Sequence, residues 1–145
     1  MPKATFYTHV ADPADFACRL AQRALQNSNS ILIWTDTETA AAKLDIDLWR
    51  FNATSFLPHE IWHDGTYPED VPIVISSGNQ LPKQTTAEVV LNLSAAFWCD
   101  TRPQPSRVLE IVGTSLEELA DARERFKAYK QSGFEIEHHN MQNKA

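Results

Sequence analysis

Four consecutive apolar residues, Ile31-Leu-Ile-Trp34, stand between Asn27-Ser-Asn29 and Thr35-Asp36. A strand wetted on one side alternates apolar and polar residues, whereas a short run without alternation belongs in a parallel sheet covered by helices on both faces. The flanking segments supply such helices. Upstream, Asp12 is placed to cap a helix with Pro13 at its first position, and Phe16, Ala17, Leu20, Ala21, Ala24 and Leu25 trace an apolar face at three- and four-residue spacing. Downstream, Thr35 or Asp36 can cap a second helix carrying Ala40, Ala41, Leu44 and Leu48. Thr5-Phe-Tyr-Thr-His9, aromatic and β-branched, reads as the strand before the first helix.

Two β-α units in succession predict parallel strands joined by covering helices. Residues 71–76, 88–93 and 107–112 extend the sheet to about five strands, with Pro72 confined to a strand start or edge. Thr114 or Ser115 opens a last helix with Glu117 and Glu118 in its first turn and Lys127 and Lys130 in its last, and Gly133 is a natural left-handed stop. The expected fold is a single three-layer, Rossmann-like α/β domain over residues 1–145 with a mainly parallel sheet, the residues after about 137 being mobile. No window approaches the roughly 18 apolar residues that cross a bilayer, and the first residues show no basic-then-apolar leader, so a cytoplasmic protein is expected.

A fold of this order raises the possibility of nucleotide binding, which the glycines oppose. The whole chain has Gly65, Gly78, Gly113 and Gly133, from which neither G-x-G-x-x-G nor G-x-x-x-x-G-K-[ST] can be written. Without glycines in the first strand-to-helix turn a backbone cannot approach a pyrophosphate closely, and no nucleotide or other cofactor is expected.

His59-Glu60-Ile61-Trp62-His63 matches H-E-x-x-H, which on a helix would place two imidazoles on one face for zinc with Glu60 as general base. A zinc-dependent hydrolase using His59, Glu60 and His63 is therefore the alternative function. Pro58 just before the motif and Asp64-Gly65 just after it leave barely one helical turn, which argues against a rigid zinc site. Ser76-Ser77-Gly78 lacks a nucleophile elbow, and Cys18 and Cys99 belong to no Cys-x-x-Cys pair, so they read as buried free thiols. His138 and His139, near the end of the chain, read as solvated rather than liganding.

Charge is unevenly distributed. The chain carries a formal net charge of -6, yet Arg123, Arg125, Lys127 and Lys130 face one acid, Glu124, within the last helix. That concentration suits an acidic partner. DNA itself fits poorly, because sequence-independent affinity comes from basic groups neutralising phosphates and the remainder of this chain is strongly acidic. At about 100° per residue, Leu116, Leu119, Ala122, Phe126 and Tyr129 form a core-facing stripe with Arg123, Lys127 and Lys130 on a row beside it. A groove with an apolar floor and a basic rim suits an acidic peptide ending in an aromatic residue and a free carboxylate. A second aromatic group, Trp49, Phe56 and Trp62, fits a protein interface, while Leu48 and Phe51 read as core.

These residues resemble the chi subunit family of the bacterial DNA polymerase III clamp-loader complex. The resemblance runs through Ala4-Thr-Phe-Tyr7, Leu44-Asp45 with Leu48-Trp49, Ser55-Phe56 with Pro58-His59, and most specifically Arg123-Glu-Arg-Phe-Lys-Ala-Tyr-Lys130 with Gly133-Phe134. It implies a noncatalytic replicase subunit that pairs with the psi subunit as a heterodimer and captures the acidic C-terminal tail of single-stranded DNA-binding protein, touching DNA only indirectly. On that mapping Trp49, Phe56, Pro58 and Trp62 face psi. Val112, Arg123, Phe126, Lys127, Lys130, Gly133 and Phe134 form the tail site. Phe126 stands where related sequences can carry Tyr, and the turn from Gly113 into Glu117 and Glu118 is acidic, so weaker tail binding is expected.

Overall fold

The structure, a computed structural model, describes residues 3–26, 30–35, 37–51, 59–62, 71–77, 88–93 and 107–142. The described elements follow the order β1 (Lys3–Thr8), α1 (Pro13–Gln26), β2 (Ile31–Thr35), α2 (Glu38–Phe51), β3 (His59–Ile61), β4 (Ile73–Ser77), β5 (Val89–Asn92), β6 (Arg107–Ile111), α3 (Leu116–Gln131) and β7 (Glu135–Asn140). All strands pair in parallel in one seven-stranded sheet of order β3-β4-β2-β5-β6-β1-β7. The α/β class is as expected; the sheet has two more strands than expected, β3 and β7, one at each edge.

Alternation along the central strands builds two cores. Ile31, Ile33, Ile73, Ile75, Val89 and Leu91 meet Ala17, Leu20 and Ala21 of α1 and Ala41, Leu44 and Leu48 of α2 on one face. Leu32, Trp34, Val74, Val90 and Val108 point to the other face, where α3 packs Ala122 and Tyr129 against Phe6 and Phe134. Ile31, Leu32 and Ile33 are all fully buried, as a strand covered on both faces must be.

The helix starts use local polar groups. The Asp15 N–H donates to Asp12 Oδ1 at 3.2 Å, the cap expected for α1. For α2 the cap is Thr37, whose Oγ1 accepts from the Ala40 N–H at 3.1 Å, rather than Thr35; Asp36, the other residue named from the sequence, lies outside the described residues. Thr35 is instead buried and directs its hydroxyl to the Thr37 carbonyl at 3.2 Å. At α3, Ser115 Oγ accepts from the Glu118 N–H at 3.0 Å and donates to Glu118 Oε1 at 2.9 Å, while Glu118 Oε2 accepts from the Gly113 N–H at 2.8 Å. One acidic side chain thus closes both the helix start and the preceding turn. Gly133 ends α3 with φ +86°, the left-handed stop that the sequence predicts.

Strand β7 is the least expected element. Its residues Glu-Ile-Glu-His-His-Asn have no apolar period, but all six pair with β1, Lys3 opposite Glu135 through Thr8 opposite Asn140. Edge pairing rather than burial makes it a strand.

Candidate functional site

The core-facing stripe of α3 differs from the expected one by a rotation. Ala122, Arg125 and Tyr129 are buried, whereas Leu116 is 86% exposed and Phe126 38% exposed. The cause lies in β6. Glu110 interrupts an apolar strand, is fully buried, and is met by Arg125 Nε at 2.9 Å, Tyr129 Oη at 2.5 Å and Asn92 Nδ2 at 2.9 Å. A buried carboxylate without a partner is costly, so the helix turns the guanidinium inward and Phe126 moves to the margin. Burial nevertheless holds the Glu110 carboxyl above the usual carboxylate range, against the lowering effect of Arg125, Tyr129 and Asn92. Arg125 therefore belongs to the interior, and the exposed cations of this helix are Arg123, Lys127 and Lys130.

These three cations border a cleft of about 840 Å³ between α3 and the ends of β1 and β7. Phe6, Leu119, Ala122 and Phe126 give it an apolar floor, and Thr8, His9 and His138 form the wall opposite the cations. Phe6 and Phe126 pack with ring centroids 5.7 Å apart, which fixes the exposed phenyl ring at the groove margin. Lys127 lies 3.6 Å from Glu124, an exposed pair that holds neither group strongly. Val112 and Phe134, also named from the sequence, do not line this cleft. Both are buried, Phe134 edge-on to Tyr129 at 5.0 Å, and Gly133 supplies the turn between α3 and β7. Sequence reasoning missed the far wall, because His9 and His138 are separated along the chain and come to one cleft only once β7 pairs with β1, which sets His138 opposite Phe6.

The aromatic group maps to the opposite edge of the sheet. Trp49 is 52% exposed on α2, with Ile46 beside it at 46%. Trp62 follows β3 and packs partly buried against the core on the α3 side, so the two indoles flank the edge strand from different faces. Phe56, Pro58 and the side chain of Phe51 lie outside the described residues.

His59 and Glu60 are in β3, not on a helix, and consecutive strand residues point to opposite faces. His59 Nε2 is 3.1 Å from both the carbonyl and Oδ1 of Asp45, and its ring lies 4.6 Å from that of Trp49. This geometry packs His59 against α2 and gives the zinc alternative no support. His63 lies outside the described residues, and among those described no three His, Cys, Asp or Glu side chains group to hold a metal ion. Cys18 is a free, buried thiol; Cys99 lies outside the described residues.

The fold and the groove define a doubly wound parallel α/β domain whose first strand turns into its helix without the glycines of a nucleotide site, and whose candidate site is a cationic cleft beside the last helix. Similarity to solved structures agrees on fold alone: the C-terminal domain of the DEAD-box protein Dbp5 superimposes with TM-score 0.62 at 14% identity, covering 97% of this chain and 91% of that one. S. cerevisiae Dbp5 bound to RNA and ADP BeF3 gives 0.59 at 13% identity, covering 98% of this chain and 42% of that one.

Residues 1–137 match the family described as DNA polymerase III chi subunit, HolC, and the chain belongs to that family. It is 26% identical to DNA polymerase III subunit chi of Pseudomonas aeruginosa, covering 97% of this chain and 98% of that protein. It is also 29% identical to DNA polymerase III subunit chi of Escherichia coli strain K12, covering 94% and 96%. Membership makes it a component of the DNA polymerase III complex, with a protein partner in that assembly. No helix among the described residues is long and apolar enough to cross a membrane.

Proposed function

We propose that this chain is a noncatalytic adaptor of the cytoplasmic DNA replicase. Its α3 groove takes the acidic C-terminal tail of single-stranded DNA-binding protein, and the edge around β3 holds the psi subunit. The carrying observation is the groove itself: three exposed cations on one rim and an apolar floor with a half-exposed phenyl ring, on a chain that is acidic elsewhere. Cations recognise the peptide's carboxylates, and the floor accepts its apolar side chain. The acidic remainder disfavours a bare polynucleotide, so the polymerase reaches DNA through the protein that coats it.

Arg123, Lys127 and Lys130 supply the charge in this reading. Phe126 supplies apolar contact, while Val112 and Phe134 act through the core they share with Ala122 and Tyr129, and Gly133 through the turn that ends α3. At the other edge, exposed Trp49 and Ile46, with Trp62, offer anchors for psi, and the family resemblance adds Phe56 and Pro58, which lie outside the described residues. Calorimetric titration with a peptide of the binding protein's last ten or so residues tests the groove. Arg123→Ala should weaken binding by about 1–3 kcal/mol, the range for losing a charged hydrogen-bond partner, and unchanged affinity would sink the assignment.

A further inference from the structure

We infer that the groove is two-walled, and that His9 and His138, on the wall opposite the cations, are specificity-determining contacts for the acidic peptide. This rests on the tail-binding reading and deepens it.

His9 has φ +58°, the left-handed region that costs a non-glycine residue energy and persists where surrounding structure enforces it. The enforcement is visible. The Val112 N–H donates to the Tyr7 carbonyl at 2.8 Å and the Val10 N–H donates to the Val112 carbonyl at 3.0 Å, so the backbone is fixed on both sides of His9. At this turn His9 lines the groove.

His138 reaches the same groove from β7. It pairs across the strands with Phe6, the floor residue, and its Nε2 lies 2.7 Å from Thr8 Oγ1. If Thr8 donates to Nε2, Nδ1 carries the proton and can donate to a carboxylate; the opposite tautomer offers only an acceptor there. An acidic peptide selects the first arrangement, and the Thr8 hydroxyl is the group that allows it. Facing these imidazoles across the groove are Arg123, Glu124, Lys127 and Lys130 of α3. A carboxylate between the walls can receive charge from one side and an imidazole N–H from the other, which a neutral amide cannot match.

The test uses the full chain and a fluorescent peptide of the single-stranded DNA-binding protein's last ten or so residues, read by anisotropy, beside a copy with Asn in place of every Asp. His9→Gly removes the imidazole while glycine adopts the left-handed turn freely, and His138→Gln keeps an amide able to hydrogen-bond where His138→Ala does not. The expected results are a loss on the order of tenfold for His9→Gly combined with His138→Ala, and partial recovery with His138→Gln. The preference for the acidic over the neutral peptide should shrink by a similar factor. Imidazole NMR signals of His9 and His138, but not of His59, should shift on peptide addition. Wild-type affinity in the double variant, beside a clear loss in Arg123→Ala, overturns the two-walled site and leaves the tail-binding reading standing. No binding by the wild-type chain overturns both.

Discussion

Arg125 Nε lies 2.9 Å from Glu110 Oε1, and both side chains are buried between α3 and the sheet. The pair fixes which face of α3 meets the core, and so which residues remain for the groove. Removing Arg125 leaves the Glu110 carboxyl buried with only the neutral donors Tyr129 and Asn92. Arg125→Met should therefore cost about 3–5 kcal/mol near neutral pH.

The same variant has a defined pH dependence. Burial already raises the Glu110 carboxyl in the folded chain, and Arg125 is the largest influence opposing that rise. A carboxyl raised by folding contributes its full stability below its unfolded value and loses it as pH climbs through the folded value. Without Arg125 the folded value moves further up, so the cost of Arg125→Met should be larger at pH 8 than at pH 5. Urea unfolding of both chains at the two pH values checks this; equal costs would contradict the role given to the pair.

Gly133→Ala isolates the α3 stop. A Cβ there meets nothing within 4 Å, so the penalty comes from placing alanine at φ +86°. The expected loss is about 1–2 kcal/mol in thermal or denaturant unfolding. Gly133→Asn should cost less, since Asn tolerates this region better.

The β-α alternation was legible because β2 is an unbroken apolar run and α1 and α2 repeat their apolar residues every three or four positions. The edges were not. β7 is a strand only because β1 offers it a hydrogen-bonding edge, and β3 is three residues of mixed character with no strand alternation to mark it. The rotation of α3 was hidden for another reason: Arg125 reads as one more surface cation, while the sign that it turns inward is an acid, Glu110, within the apolar strand Val108-Leu-Glu-Ile111. The cationic rim was legible in the sequence and the histidine wall was not, since only the pairing of β7 with β1 brings residue 138 to the cleft beside residue 9.

Cys18 should be inert in the folded chain. Burial, with smaller effects from Asp47, Asp15 and Asp12, pushes its thiol up to about 12. At pH 8 about one part in ten thousand is thiolate, before any steric protection is counted. In a Cys99→Ser background, Ellman's reagent should react at the rate of unfolding; immediate reaction of the native chain would contradict the placement of Cys18.

The two proposed docking surfaces lie at opposite edges of the sheet. With six strand spacings between β3 and β7, they are roughly 30 Å apart. Trp49→Ala should weaken psi association by about 2 kcal/mol or more, as loss of an aromatic anchor does, and leave tail affinity unchanged. Arg123→Ala should do the reverse. Surface plasmon resonance with each partner immobilised separately tests the independence, and parallel loss of both from a folded variant would argue against two surfaces.

The most direct measurement places a photoreactive phenylalanine analogue at the end of the acidic tail peptide, cross-links it to the full chain, and maps the adducts by mass spectrometry. Adducts on the groove, at Phe6, Phe126, Lys127 or His138, suppressed by unlabelled peptide, are the predicted result. Competable adducts confined to the α1–α2 face or the β3 edge would contradict the claim that the groove beside α3 receives the tail.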